Sequence, residues 1–89
     1  MLQETVMIKN ELGLHARAAA MFAKKASGFS SNIRVTKDHT PVDAKSIMEL
    51  LTIAAARGSK ITISANGMDE KEAIRSLVSL VNNGFGEDK

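Results

Sequence analysis

The stretch around which the chain is organised reads GLHARAAA and spans residues 13–20. A glycine comes first, His15 follows two residues later, and Arg17 begins an alanine-rich run of the kind that favours a helix. The pattern predicts a helix over 16–27, with His15 at or next to its N-cap. The first turn of a helix has backbone N–H groups without an intrahelical partner and a partial positive charge, so this position suits an anion.

The two polar side chains of this stretch indicate phosphoryl chemistry. A histidine can act as a nucleophile near neutral pH, and an arginine is a fixed cation whose donors match phosphate oxygens. Ser, Asp or Asn would cap a helix better, so helix stability does not explain His15. We therefore predict that His15 accepts a phosphoryl group held by the helix terminus and Arg17. The alternative is a surface histidine without function, preceded by a glycine that only serves a turn.

Length and composition restrict the class of protein. The 89 residues predict a single domain over 1–89, and 44% hydrophobic with 25% charged residues is typical of a globular protein. The absence of cysteine excludes disulfides and fits a reducing compartment. No signal peptide is evident, and no apolar run approaches the roughly 20 residues of a membrane span. We expect a cytoplasmic protein without membrane insertion.

Composition also argues against two kinds of ligand. The net charge is only +2, and Trp and Tyr are absent, so a basic stripe with stacking aromatics is lacking and a nucleic-acid partner is not expected. His15 and His39 are the two histidines, far apart in a chain without cysteine, which disfavours a metal site. We predict neither a metal nor a cofactor. A small nucleic-acid-binding module is retained as a remote alternative.

The hydrophobic periodicity predicts alternating strands and helices. Two-residue alternation indicates strands over 5–9, 32–37, 42–44 and 60–65, and helical spacing indicates helices over 16–27, from Ile47 into the alanine run, and from Asp69 to Asn83. The order is β-α-β-β-α-β-α. Half-polar strands predict a sheet with one wet face and helices on the other. The expected fold is α+β: an open-faced two-layer β-sandwich, with a four-stranded antiparallel sheet covered by three helices.

Helix boundaries are predicted from capping residues. Gly28 stands where a C′ residue would end the first helix. Ser46 with Glu49, and Asp69 with Glu72, have the spacing of capping boxes. Ser46 could also carry a regulatory phosphate of about −1.5 to −2 charges, which would repel an acidic partner.

The short second helix has too many apolar residues for one buried face. We expect Leu50 and Ile53 to lie in the core and some of Ile47, Met48 and Leu51 to remain exposed, with a partner surface favoured for Met48 and Leu51. If the first two helices are neighbours, an apolar rim surrounds His15, formed by Ala16, Ala20, Met48 and Leu51.

Three motifs together resemble a known family: GLHAR at 13–17, KSIM at 45–48 and NGMDE at 66–70. They are similar to those of HPr, the histidine-containing phosphocarriers of the bacterial phosphotransferase system, over roughly residues 4–86. The resemblance implies the HPr-like open-faced sandwich. It also implies that His15 receives a phosphoryl group on Nδ1 from phosphorylated Enzyme I, ultimately from phosphoenolpyruvate, and passes it to an A-type Enzyme II domain. Arg17 would neutralise the phosphate, and the protein would be a carrier rather than an enzyme.

The resemblance further implies regulation and docking. Ser46 matches the target of HPr kinase/phosphorylase, and a transcriptional regulator is a further expected partner. The expected partner-binding residues are Ala16, Ala20, Lys24, Ile47, Met48 and Leu51. We expect a monomer.

Some residues depart from the family pattern. Ala18 stands where sugar-transport members usually have proline, and Glu49 where many have glycine. A carboxylate at Glu49 would repel a phosphate on Ser46. The alanine runs at 18–20 and 54–56 are similar to those of nitrogen-type or regulatory branches, so a regulatory carrier with little sugar transport is the alternative to sugar uptake.

Overall fold

The computed structural model describes residues 1–87. The elements follow in the order β1 (Leu2–Met7), α1 (Ala16–Ser27), β2 (Asn32–Lys37), β3 (Thr40–Asp43), α2 (Ile47–Thr52), β4 (Lys60–Asn66), α3 (Glu70–Asn82) and a 3₁₀ turn (Gly84–Gly86). The predicted β-α-β-β-α-β-α order is therefore confirmed. The prediction of one domain over 1–89 includes Asp88 and Lys89, which lie outside the described residues.

The four strands form one antiparallel sheet in the order β1-β4-β2-β3. One face is apolar and buried: Val35 lies opposite Ile63, and both are fully shielded from solvent. The other face is polar, where the hydroxyls of Thr5 and Thr62 are 2.9 Å apart. Pro41 lies in β3 at the edge of the sheet, where its missing N–H costs no ladder bond. The predicted open-faced two-layer sandwich is confirmed.

Two strands are displaced from their predicted bounds. β1 ends at Met7 rather than at residue 9, although Ile8 is buried as expected and its backbone bonds Ser59 and Gly58. β3 begins at Thr40 rather than at Val42, because its pairing with β2 extends to the turn.

Helix α1 has its predicted bounds, and its alanine and phenylalanine stripe is buried in the core. The prediction for Gly28 is wrong in detail. Gly28 is the C-cap rather than the C′ residue, and its φ of −75° is right-handed, unlike the left-handed backbone common at C′. Its N–H donates to the Lys25 carbonyl at 3.1 Å, so the residue continues the last turn and any amino acid could adopt that backbone conformation.

Helix α2 is shorter than predicted. It ends at Thr52, whose hydroxyl donates to the Glu49 carbonyl, and Ala54 then adopts a positive φ of 48° that breaks the helical path. The alanine run therefore leaves the helix. The carbonyl of Ala55 instead accepts the N–H of Leu14 at 2.8 Å, so this segment supports the loop that leads into α1.

Only half of the predicted capping box of α2 forms. The Ser46 hydroxyl accepts the Glu49 N–H at 3.2 Å, as expected. The Glu49 carboxylate, however, accepts the N–H of Asp43 at 3.1 Å rather than that of Ser46. The side chain therefore ties the helix to β3 instead of closing the box.

The capping box predicted for α3 is wrong. Asp69 is the N-cap, but its carboxylate makes no bond to its own helix and accepts instead from the backbones of Ser30 and Ser31. Glu70, not Glu72, reaches back to a turn N–H, that of Gly67. A long-range partner has replaced the local one at this helix start.

None of the helices in the described part of the chain is long and apolar enough to cross a membrane.

Candidate functional site

His15 is the N-cap residue of α1, as predicted. Its backbone is extended, with φ −78° and ψ −178°, and its carbonyl accepts the Ala19 N–H at 2.8 Å. The imidazole makes no capping hydrogen bond to the helix, and 26% of the side chain is exposed. The side chain is therefore partly accessible at the amino end of α1 and contributes nothing to closing the helix.

A tightly packed loop fixes the approach to His15. Gly13 has a φ of 67°, and a Cβ at this position would lie 2.5 Å from the Ala55 carbonyl oxygen. Leu14 is buried, and its N–H donates to that same carbonyl. Gly13 is needed for both its backbone conformation and its lack of a side chain. The loop can thus pack directly on the segment that follows α2.

The side chain of Asn10 is the buried polar centre of this loop. It is 1% exposed, and its amide nitrogen donates to the Gly13 carbonyl and to Glu87 Oε1, both at 2.8 Å. Its amide oxygen, Oδ1, has no hydrogen-bond partner among the described residues. Asn10 therefore connects the loop before α1 with the end of the described chain.

Glu87 contacts the ring of His15. Its Oε2 lies 2.5 Å from His15 Nε2, and 12% of its side chain is exposed. The hydrogen bond from Asn10 lowers the pKa of Glu87 most, and the bond from His15 and the positive charge of Arg17 lower it further, against an opposing effect of burial. Glu87 is thus a carboxylate at neutral pH. Because a carboxylate only accepts, the hydrogen of this bond must be on Nε2.

Arg17 is exposed on the first turn of α1, and its charge acts on Glu87. Sequence reasoning placed Arg17 and His15 together but missed Asn10 and Glu87, which lies 72 residues from His15. A weak signal was present in the sequence: Phe85 stands between two glycines after α3. Phe85 is fully buried at a φ of 57°, so it returns the chain toward the site.

The predicted docking residues lie on two helices that pack against each other, α1 and α2. Met48 is 80% exposed, whereas Leu50 is fully buried and Ile53 nearly so. The expected division between surface and core in α2 is confirmed, since Ile47 and Leu51 are also exposed. The remaining members, at least partly exposed on α1, are Ala16, Ala20 and Lys24.

Ser46 is partly exposed at the start of α2, where its hydroxyl caps the helix. The capping function is therefore observed, and its phosphorylation stays a prediction.

Within residues 1–87, no three His, Asp or Glu side chains converge as they would to hold a metal ion.

Comparison with known proteins relates this site to others. The sequence model of the PTS-HPr family, described as the PTS HPr component phosphorylation site, matches residues 2–83. The phosphocarrier protein HPr of Neisseria meningitidis is 48% identical over 87 residues, which cover 98% of both chains. The crystal structure of HPr-C-His from Thermoanaerobacter tengcongensis superimposes with a TM-score of 0.96, at 48% identity and full coverage of both chains. An HPr dimer from the same organism gives a TM-score of 0.79 at 49% identity, covering 98% of this chain and all of the other.

Proposed function

The chain belongs to the PTS-HPr family of phosphocarrier proteins, and from that premise we propose that His15 is the residue that carries the phosphoryl group. The observation that supports this most is the placement of the imidazole. It is partly exposed at the amino end of α1 and makes no hydrogen bond to the helix. Its Nε2 is hydrogen-bonded to Glu87. The opposite ring nitrogen, Nδ1, is then available as the nucleophile.

The surroundings of His15 suit a group that must be held and then released. The partial positive charge of a helix terminus and the cation of Arg17 both favour a phosphoryl group at this position. A bond from phosphorus to an imidazole nitrogen is labile enough to be passed on. Docking then aligns donor and acceptor nitrogens for in-line transfer, with positioning as the main catalytic effect.

The proposed relay runs from phosphoenolpyruvate through Enzyme I to His15, and from His15 to an A-type Enzyme II domain. Labelling with radioactive phosphoenolpyruvate in the presence of Enzyme I tests the first step. We expect acid-labile label on the wild type and none on His15→Ala. His39→Ala is the matched control, because His39 lies in the exposed turn between β2 and β3. Acid-labile label on His15→Ala equal to the wild type would overturn the proposal.

The exposed residues of α2, with those of α1, form the proposed docking surface. Met48→Asp places a charge in the most exposed apolar position of α2 and should weaken binding to Enzyme I by about 10-fold or more, roughly 1.4 kcal/mol. Met68→Asp is the control, since Met68 is fully exposed in the turn before α3. Equal Kd values for the two variants in a calorimetric titration would contradict the docking surface.

Regulation at Ser46 is a further part of the proposal, with HPr kinase/phosphorylase and a transcriptional regulator as partners. A phosphate at the start of a helix is electrostatically tolerated, so the modification need not unfold α2. Incubation with this kinase and ATP should give an acid-stable phosphate on the wild type and none on Ser46→Ala. An active kinase that leaves the wild type unmodified would exclude regulation at Ser46.

The monomer also stays a prediction, given the related HPr dimer, and light scattering of the purified protein would test it.

A further inference from the structure

We propose that Asn10 and Glu87 act as positioning residues that hold His15 in one neutral tautomer, with hydrogen on Nε2 and the lone pair on Nδ1. This inference rests on the proposed function, because it explains which nitrogen of His15 can attack phosphorus. We call the pair of side chains the Asn10–Glu87 clamp. The juxtaposition that carries it is a chain of hydrogen bonds from the Gly13 carbonyl through Asn10 and Glu87 to the imidazole.

The orientation of the Asn10 amide is fixed by its neighbours. Both hydrogens of its nitrogen have acceptors, the Gly13 carbonyl and Glu87 Oε1, each at 2.8 Å. If the amide were turned over, its oxygen would face two acceptor oxygens and both bonds would be lost. The amide oxygen is buried without a protein partner, which costs free energy. Only in the observed orientation do the two hydrogen bonds of the amide nitrogen offset that cost.

The orientation of Asn10 determines what Glu87 can do. Asn10 occupies Oε1 of the carboxylate, so Oε2 faces His15 Nε2 at 2.5 Å. The hydrogen bonds from Asn10 and His15 lower the pKa of Glu87 and keep it ionised. An ionised carboxylate has no hydrogen to give. The imidazole must therefore donate from Nε2, and in the neutral ring the lone pair lies on Nδ1.

The turn at Gly84–Gly86 places the Glu87 carboxylate beside the His15 ring. Phe85 is fully buried, and Gly84 lies so close to Asn10 that a Cβ on the glycine would be 3.6 Å from the asparagine Cβ. The N–H of Glu87 donates to the Gly84 carbonyl at 3.0 Å. Backbone hydrogen bonding and burial therefore place Glu87, in addition to its contact with His15.

With the clamp in place, His15 can accept and release the phosphoryl group without gaining or losing a proton. The Nδ1 lone pair forms the new bond to phosphorus, and the bond between phosphorus and the donor nitrogen of Enzyme I breaks, with its electron pair remaining on that nitrogen. The His15 ring becomes a cation that keeps its hydrogen on Nε2, and the negative charge of Glu87 offsets it. When the group moves on, the P–N pair returns to Nδ1 and the same neutral tautomer is restored.

Glu87→Gln is the decisive variant. Asn10 would still donate to the side-chain oxygen at position 87, so the new NH₂ group would face Nε2. The ring would then have to accept at Nε2 and carry its hydrogen on Nδ1, where it blocks the nucleophile. In Glu87→Ala, water instead of a side chain would contact Nε2. We expect Glu87→Ala to slow phosphoryl transfer by less than about 10-fold and Glu87→Gln by roughly 100-fold or more.

Imidazole ¹⁵N chemical shifts measure the tautomer directly, without a phosphoryl donor. At an alkaline pH beyond which the ¹⁵N shifts no longer change, so that the ring is neutral, we expect hydrogen on Nε2 in the wild type and on Nδ1 in Glu87→Gln. Glu72→Gln is the matched control, because it removes the same charge from an exposed position on α3 and should behave as the wild type. Circular dichroism checks that each variant is folded.

The outcomes separate the clamp from the proposed function. Hydrogen on Nε2 in folded Glu87→Gln, or a transfer rate for this variant at or above that of Glu87→Ala, overturns the clamp while His15 remains the carrier. A purely electrostatic effect of Glu87 would slow both variants equally and also overturns it. Absence of label on the wild type overturns the proposed function, whatever tautomer is found.

Discussion

The helices α1 and α2 pack against each other, yet their first turns are completed in opposite ways. At α2 the Ser46 hydroxyl accepts the Glu49 N–H, so the N-cap side chain is hydrogen-bonded to its own helix. At α1 the His15 ring makes no such bond and contacts Glu87 instead. A good capping residue stands where stability is needed. A poorer capping residue stands at α1, where its imidazole makes no bond to the helix, as the proposed phosphoryl transfer requires.

The start of α3 shows that a missing cap bond is not enough to mark a site. Asp69 also turns away from its helix, but its carboxylate takes two backbone N–H groups and the Ser31 hydroxyl. Its bonding capacity is used to join α3 to the segment before β2. The His15 ring differs, because within residues 1–87 its hydrogen bond is made through Nε2 and Nδ1 is left over.

The largest expected effect comes from giving α1 the cap that α2 has. His15→Ser should lose all label from phosphoenolpyruvate and Enzyme I, because serine lacks the nucleophilic nitrogen. His15→Ser and His15→Ala both lose the bond to Glu87, so the unfolding free energy of His15→Ser, measured in urea, should exceed that of His15→Ala by about 1 kcal/mol because serine caps better. Ser46→His is the reverse exchange and should lose about that much while gaining no label. Equal unfolding free energies for His15→Ser and His15→Ala would show that the start of α1 gains nothing from a capping side chain.

The loop before α1 supplies the next prediction. Gly13→Ala forces a Cβ against the Ala55 carbonyl at a positive φ, and should cost roughly 2–4 kcal/mol of unfolding free energy and slow labelling of His15. Gly58→Ala has a positive φ but nothing within 4 Å of the added carbon, so it should cost only about 1 kcal/mol. Equal losses in urea denaturation would show that the close approach at Gly13 does not hold the loop.

A smaller effect is expected at the start of α2. Ser46→Ala removes the hydroxyl that accepts the Glu49 N–H and should lower the unfolding free energy by about 1 kcal/mol. Transfer of the phosphoryl group to His15 should be unchanged. Ser27→Ala, at the exposed last position of α1, should stay within about 0.5 kcal/mol of the wild type. Loss of His15 labelling in a folded Ser46→Ala would contradict the separation of the two helix starts.

The third helix start gives a pH-dependent prediction. The Ser31 hydroxyl and then the Ser30 N–H lower the pKa of Asp69 below 3.8. The ionised form therefore stabilises the fold fully above pH 3.8, and the contribution disappears as the pH falls through the lowered value. Asp69→Asn should have a lower urea midpoint than the wild type at neutral pH, and the difference should close in acid. A difference that is constant with pH would show that the charge of Asp69 is irrelevant.

The fold could be predicted from the sequence because its signals are local. Alternation in residues 32–37 and the stripe through Phe22 depend on neighbours a few positions away, and they gave the bounds of β2 and α1. The His15 N-cap is equally local. Packing overrode the local signal elsewhere: Ala54 takes a left-handed conformation, which ends α2 before the alanine run that favours a longer helix.

The partner side chains of the site could not be predicted in this way. Asn10 and Glu87 are 77 residues apart and meet only because Phe85 is buried and the turn around it leads the chain back toward α1. No spacing rule connects residues at that separation. The capping-box prediction for Asp69 was wrong for the same reason. Its spacing matched the motif, but Ser30 and Ser31, from a distant segment, supply three hydrogen-bond donors to its carboxylate.

The most direct test of the account is to find the atom that bears the phosphoryl group. The ¹⁵N-labelled protein can be phosphorylated with phosphoenolpyruvate and Enzyme I, and the coupling between phosphorus and nitrogen measured by NMR. We predict one phosphoryl group, bonded to Nδ1 of His15, with the hydrogen still on Nε2. A phosphoryl group on Nε2 of His15, or on His39, would contradict it.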